Sequence, residues 1–134
     1  MISKKTKYGL KALIYISKQE PGKPILISEI AQTQNISQKF LEIILLELKK
    51  QGIVGSKKGK GGGYYLLKKP DEISIASLVR LLEGPIAWLP CVSLNYYEKC
   101  NDCESEETCE LNQLFIKVRD NILDIIDNET LDTM

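Results

Sequence analysis

Apolar positions in the first third of the chain recur at helical spacing in three blocks. Between Lys4 and Gln19, the residues Tyr8, Ala12, Tyr15 and Ile16 lie on one face, and Leu10, Leu13 and Ile14 widen it, so the spacing predicts an amphipathic helix. Glu20-Pro21-Gly22-Lys23-Pro24 should end it, because proline cannot continue a helix and glycine supplies a turn. Ile25-Leu26-Ile27 reads as a small strand or an extended lead-in. Ser28 is the expected N-cap of a short helix through Ile30 and Ala31, with Glu29 complementing the helix dipole. That helix should fail at Gln34-Asn35, since asparagine tolerates the left-handed conformation. Ser37 is a second N-cap, and Phe40, Leu41, Ile44, Leu45 and Leu48 then form a core stripe. Two helices joined by so short a turn make a helix-turn-helix.

After Gly52 the pattern changes. Ile53-Val54 opens a strand, residues 56–63 form a basic, glycine-rich tip, and Tyr64-Tyr65-Leu66-Leu67 returns, which together predict a β-hairpin. A helix-turn-helix followed by such a hairpin is a winged helix. Ser74 should cap a further helix through Ile75, Leu78, Val79, Leu81 and Leu82, stopped at Gly84-Pro85. Residues 86–108 read as irregular, and a loop of that length is usually functional or disordered. From Leu111, the residues Leu114, Phe115, Val118, Ile122, Ile125 and Ile126 follow steps of three and four. Such a stripe needs a covering surface, and a second copy of itself is the simplest. The expected fold is mostly α with a small β-wing: a DNA-binding winged helix-turn-helix over 1–84, a cysteine-rich loop over 85–108, and a dimerisation helix and tail over 109–134.

Charge changes this picture from architecture to function. The 134 residues carry 18 basic and 18 acidic side chains, but the signs are segregated. Residues 1–70 hold fourteen lysines and four glutamates, a net +10, while residues 71–134 hold four basic and fourteen acidic residues, a net −10. The first half can approach a polyanion; the second should be repelled by one. Histidine is absent, which excludes Ser-His-Asp and Cys-His catalysis and any histidine metal ligand. No phosphate-binding helix follows the wing glycines, so an enzyme is not expected. No run of 18 apolar residues suggests a membrane span, and the start, Met1 to Lys5, does not read as a signal peptide. A cytoplasmic protein is therefore expected, whose cysteines are not permanent disulfides.

On the helix after Ser37, the residues Gln38, Lys39 and Glu42 lie on the polar side near the N-terminal end, the part that meets base edges in a major groove. Leu46 also points outward and Ile43 sits at the border. Glutamine pairs with adenine, lysine donates to guanine, glutamate accepts from cytosine, and Ile43 could touch a thymine methyl. Alone, such a face is an ordinary solvated one. Lys57, Lys58, Lys60 and Gly61 shift the balance, because a flexible cationic tip suits phosphate or minor-groove contact. Tyr8, Tyr15, Tyr64 and Tyr65 are better assigned to the core or a dimer contact than to base stacking.

Cys91, Cys100, Cys103 and Cys109 are separated by eight, two and five residues within one segment. Four thiolates complete an iron–sulfur or a zinc site. Cluster ligation is the favoured reading, structural zinc the second and free redox-switching thiols the third. The surrounding acids, Glu98, Asp102, Glu104, Glu106, Glu107 and Glu110, should raise thiol pKa values in the absence of a metal.

Taken in order, "TKYGLKALIYI" at Thr6–Ile16, "ISEIAQTQNISQKFLEIILLELKKQGIV" at Ile27–Val54, "KKGKGGGYYL" at Lys57–Leu66 and the cysteines after Pro90 resemble the Rrf-two family of bacterial winged-helix regulators. That family includes an iron–sulfur cluster regulator, a nitric-oxide sensor and a regulator of cysteine metabolism. The resemblance implies a homodimer on a palindromic double-stranded DNA operator, paired through the helix around 111–126. It implies base reading by Ser37, Gln38, Lys39 and Glu42, and wing contacts by Lys57, Lys58, Lys60 and Gly61. It also implies a cluster, [2Fe–2S] favoured over [4Fe–4S], on Cys91, Cys103 and Cys109, with Cys100 the candidate fourth ligand. The sequence departs from the family pattern at two places. Asn112 stands where the cluster regulator has a histidine, and Lys7 where the nitric-oxide sensor has an acidic ligand. A cluster-free regulator sensing thiol state or a partner protein, and a zinc-stabilised interaction module, are the alternatives.

Overall fold

The computed structural model describes residues 1–134. Helices α1 (Lys4–Ser17), α2 (Ile27–Gln34) and α3 (Gln38–Lys50) lead into strands β1 (Val54–Lys57) and β2 (Gly63–Leu66), followed by α4 (Ile75–Leu82) and a long α5 (Glu110–Ile126). Three short 3-10 turns, Pro70–Glu72, Pro90–Val92 and Leu131–Thr133, punctuate the connections. β1 and β2 are antiparallel in the register Val54 to Leu66 through Lys57 to Gly63, and Ile25 adds a single bridge to Tyr64. The winged helix-turn-helix with a long C-terminal helix is the observed architecture. No helix is long and apolar enough to cross a membrane.

Most local signals act as expected. Asn35 takes φ 54° and ψ 52° and ends α2, while Ser37 and Ser74 each accept from the backbone amide three residues on. Three details differ. α1 stops at Ser17, and Ser17 itself bonds back to the Ile14 carbonyl. The N-cap of α2 is Leu26 rather than Ser28, because the bridge at Ile25 holds the chain extended up to Leu26 and the helix begins at Ile27. Phe40 is not a core residue: it is exposed at the start of α3 and stacks edge-on against Tyr8, with ring centroids 5.8 Å apart.

The core gathers Leu13, Ile30, Leu41, Ile44, Leu45, Leu48 and Leu78, all fully buried. α1 runs through it, and at Gly9 the helices approach so closely that a Cβ would stand 2.7 Å from Leu82 of α4 and 3.2 Å from Ile44 of α3. The chain end returns to the same core. Leu131 is buried within it, its amide donates to the Ile73 carbonyl, and the Ile75 amide donates to Glu129. A second long-range tie fixes the other end of α4. Glu83 Oε2 accepts from the Ser3 amide at 2.9 Å, the Ser3 hydroxyl at 2.8 Å and the Thr6 hydroxyl at 2.5 Å. These bonds hold the Glu83 carboxyl down at about 2, with the Thr6 hydroxyl the largest cause.

Candidate nucleic-acid interface and cysteine segment

Helix α3 is fixed from three sides. Tyr15 donates to Glu29 at 2.6 Å and Lys11 donates to the Gln34 carbonyl at 3.1 Å, which set α2 against α1. Lys5 pairs with Glu47 at 2.6 Å, tying α1 to the far flank of α3. Lys49 donates to Ser56 at 2.6 Å, joining the end of α3 to the first wing strand. Gln38, Lys39 and Glu42 are exposed beside the capping Ser37, free of tertiary partners. Lys57, Lys58, Lys60 and Gly61 are exposed at the hairpin tip. The arrangement offers a polar helix end, a second pair of cations at Lys49 and Lys50, and a cationic hairpin on a rigid support. Such a set can neutralise phosphates and present donors and acceptors to base edges.

The four cysteines are free thiols, with Cys91 buried and the other three half-buried. They form two neighbouring pairs. The Cys100 thiol is pushed up to about 11, first by its hydrogen bond with Cys91, then by desolvation and by the nearby Cys103 and Asp102. The Cys103 thiol is also raised, first by desolvation and then by Cys109. The direction matches the expectation from the acidic surroundings, but the thiols themselves are the larger cause and only Asp102 contributes among the carboxylates. In this arrangement no three cysteine or carboxylate side chains converge closely enough to hold a metal ion. Cys91 receives a hydrogen bond of 3.3 Å from the amide of the buried Asn112 on α5. Arg119, also on α5, donates to the Val92 carbonyl at 2.8 Å, so two side chains of this helix hold the start of the segment. Tyr97 donates to Glu106 across the loop, which raises the Tyr97 hydroxyl.

Sequence reasoning missed Asn112, Arg119 and Glu83 in these positioning roles. Arg119 carried a faint signal as one of four cations in an acidic half; Glu83 carried none, because its partners lie 77–80 residues away.

α5 uses two faces differently. Asn112, Arg119 and Leu123 turn toward the rest of the chain. Leu111, Leu114 and Ile125 are 57%, 50% and 63% exposed, and Phe115, Val118 and Ile122 are half-buried beside them. At 100° per residue the two faces are separated by roughly 110°. Trp88, from the cysteine segment, lies 5.4 Å from Phe115 but is itself 69% exposed.

The Rrf2 family, described as an iron-dependent transcriptional regulator, matches residues 2–134. An rrf2-like HTH-type transcriptional regulator of Rhodobacter capsulatus is 43% identical over 100% of the chain and 91% of its own length. The HTH-type transcriptional regulator CymR of Bacillus subtilis is 34% identical over 99% of the chain and 88% of its own. The structure of CymR, the global cysteine regulator of that organism, superposes with a TM-score of 0.81, covering 99% of this chain and 94% of CymR. The structure of T. potens IscR is 26% identical, with a TM-score of 0.78 over 100% of this chain and 85% of IscR.

Proposed function

Because the chain belongs to the Rrf2 family and is a DNA-binding transcriptional regulator rather than an enzyme, we propose that it binds a palindromic operator as a homodimer and that its cysteine segment sets its affinity for DNA. Each subunit contributes the N-terminal end of α3, with Ser37, Gln38, Lys39 and Glu42, to one half-site. The wing, with Lys57, Lys58, Lys60 and Gly61, adds backbone or minor-groove contacts. Pairing through α5 is supported by the apolar face that its own chain leaves open at Leu111, Leu114 and Ile125.

The observation that carries the sensor reading is that the cysteine segment is joined to α5 at both ends, Cys91 through the Asn112 amide and Cys109 as the residue that caps the helix, and α5 also presents the open apolar face. The donor set suits an iron–sulfur cluster: Cys91, Cys103 and Cys109 would hold it, with Cys100 as fourth donor. A bound cluster would offset part of the charge of its thiolate ligands in an acidic loop and supply a redox-responsive centre. The chain's own part is positional. Asn112 and Arg119 fix Cys91 and Val92 to α5, so a change in the loop is transmitted to the helix that sets the spacing of the two recognition helices. A coupling of about 1–3 kcal/mol would change affinity roughly 5–150-fold.

The cluster-free alternative, a regulator answering to thiol state or a partner protein, has its own support. No three donors converge in this arrangement, and the chain is 34% identical to CymR against 26% to IscR. Anaerobic purification with iron, sulfide and zinc analysis separates the readings. Iron and sulfide near cluster stoichiometry, lost in Cys91→Ser or Cys103→Ser, support the cluster. Zinc alone favours a structural site, and metal-free protein whose operator affinity responds to thiol oxidation favours the alternative.

A further inference from the structure

The buried residues of α3, Leu41, Ile44, Leu45 and Leu48, define its inward direction. At 100° per residue, the side chains directly opposite are Lys39, Ile43, Leu46 and Lys50. This ridge stands furthest from the body of the protein. Ile43 is not at the border of the polar face but at its crest, 67% exposed, and Leu46 follows it at 49%. Neither belongs to the apolar core or packs against it. A scattered exposed leucine needs no explanation, but two adjacent aliphatic side chains on the outermost ridge, bracketed by lysines, form a pattern with a chemical counterpart.

The crest of a recognition helix is the part that reaches deepest into a major groove, where the apolar group on offer is the 5-methyl of thymine. We propose that Ile43 and Leu46 read thymine methyl groups, so that each operator half-site carries neighbouring T·A pairs beneath the middle of α3, with Lys39 and Lys50 contacting the DNA on either side. The inference rests on the reading of α3 as the groove-entering helix and names what its centre recognises. Spacing agrees: residues three apart on a helix are about 4.5 Å apart along the axis, close to the rise of roughly 3.4 Å between base pairs. Charge selects DNA over an apolar protein groove, because Lys39 and Lys50 flank the pair and Lys57, Lys58 and Lys60 stand on the adjoining wing.

The test uses duplexes that the full-length protein itself selects from a random-sequence pool. Each thymine of the selected site is replaced singly by deoxyuridine, which removes the methyl and keeps the pairing. One or two thymines per half-site should each weaken binding about fourfold, the effect of exposing one buried methyl-sized group. In Ile43→Ala and Leu46→Ala, both surface changes compatible with folding, that sensitivity should disappear at the thymine each residue contacts. Uniform tolerance of deoxyuridine, or sensitivity unchanged in both variants, overturns the proposal and leaves the crest as a protein-docking or solvated face. Selection of no duplex at all is a different failure: it removes the DNA-reading assignment of α3 itself.

Discussion

Gly63→Ala should release the wing from the helical body. Gly63 opens β2 at φ 141°, a conformation that side-chain-bearing residues rarely adopt. Its neighbour Tyr64 exchanges two backbone hydrogen bonds with Ile25, each 2.8 Å long. A Cβ on Gly63 would stand 2.3 Å from the carbonyl carbon and oxygen of Ile25. Those are backbone atoms, so no rotamer change relieves the overlap and the bridge must open. Two hydrogen bonds at about 1 kcal/mol each are lost, together with part of the burial of Ile25, worth about 1 kcal/mol when half of an isoleucine side chain is uncovered. With about 1 kcal/mol of backbone strain at this φ, the total is about 4 kcal/mol. With an unfolding entropy of about 2.1 cal/mol/K per residue, a chain of this length should melt about 14 °C lower. Gly59→Ala is the control. Gly59 also has a positive φ, 89°, but nothing lies within 4 Å of where a Cβ would be, so only backbone strain of about 1 kcal/mol applies. Thermal denaturation followed by circular dichroism, with hydrogen exchange at the Tyr64 amide, reads both. A Gly63→Ala protein that melts no lower than Gly59→Ala would falsify the claim that the Ile25 bridge anchors the wing.

Other expectations follow from the same geometry. Changing Lys57, Lys58 and Lys60 together to Ala should weaken operator binding and flatten its dependence on salt by about three phosphate contacts; an unchanged salt slope removes the wing from the interface. Leu114→Glu with Ile125→Glu should yield a monomer by sedimentation velocity while preserving helical circular dichroism, because both side chains are at least half exposed in the single chain; a surviving dimer places the contact elsewhere. The Glu83 carboxyl is held at about 2, below its ordinary 4.5, so its stabilisation is complete above pH 4.5 and lost as pH falls toward 2. Glu83→Gln should therefore be less stable than the wild type at pH 7, with the two converging near pH 2 in acid unfolding; a constant gap across that range breaks the linkage.

What the sequence disclosed and what it withheld divide along one physical line. Elements whose signals are local were legible. Asn35 has a side chain that tolerates left-handed backbone, Ser37 and Ser74 need only reach an amide three residues away, and the glycine-rich tip at 59–63 has few ways to run except as a hairpin. The failures are places where a distant segment decided. Ser28 has the right chemistry for a cap, but the bridge between Ile25 and Tyr64 fixes the extended backbone up to Leu26 and moves the helix start. Phe40 fits the apolar period, but Tyr8 on α1 offers its ring at the surface and draws it out of the core. The candidate site splits in the same way. The exposure of Gln38, Lys39, Glu42 and the wing lysines was readable because exposure and charge are properties of one helix or one turn. The cysteine pairing was not, because spacing along the chain does not say that Cys91 meets Cys100 and Cys103 meets Cys109. Nor does it say that Asn112 turns its amide onto the Cys91 sulfur. That contact gives Asn112 a use without any metal: its amide ties the buried Cys91 to α5 and satisfies a polar group that would otherwise be buried without a partner.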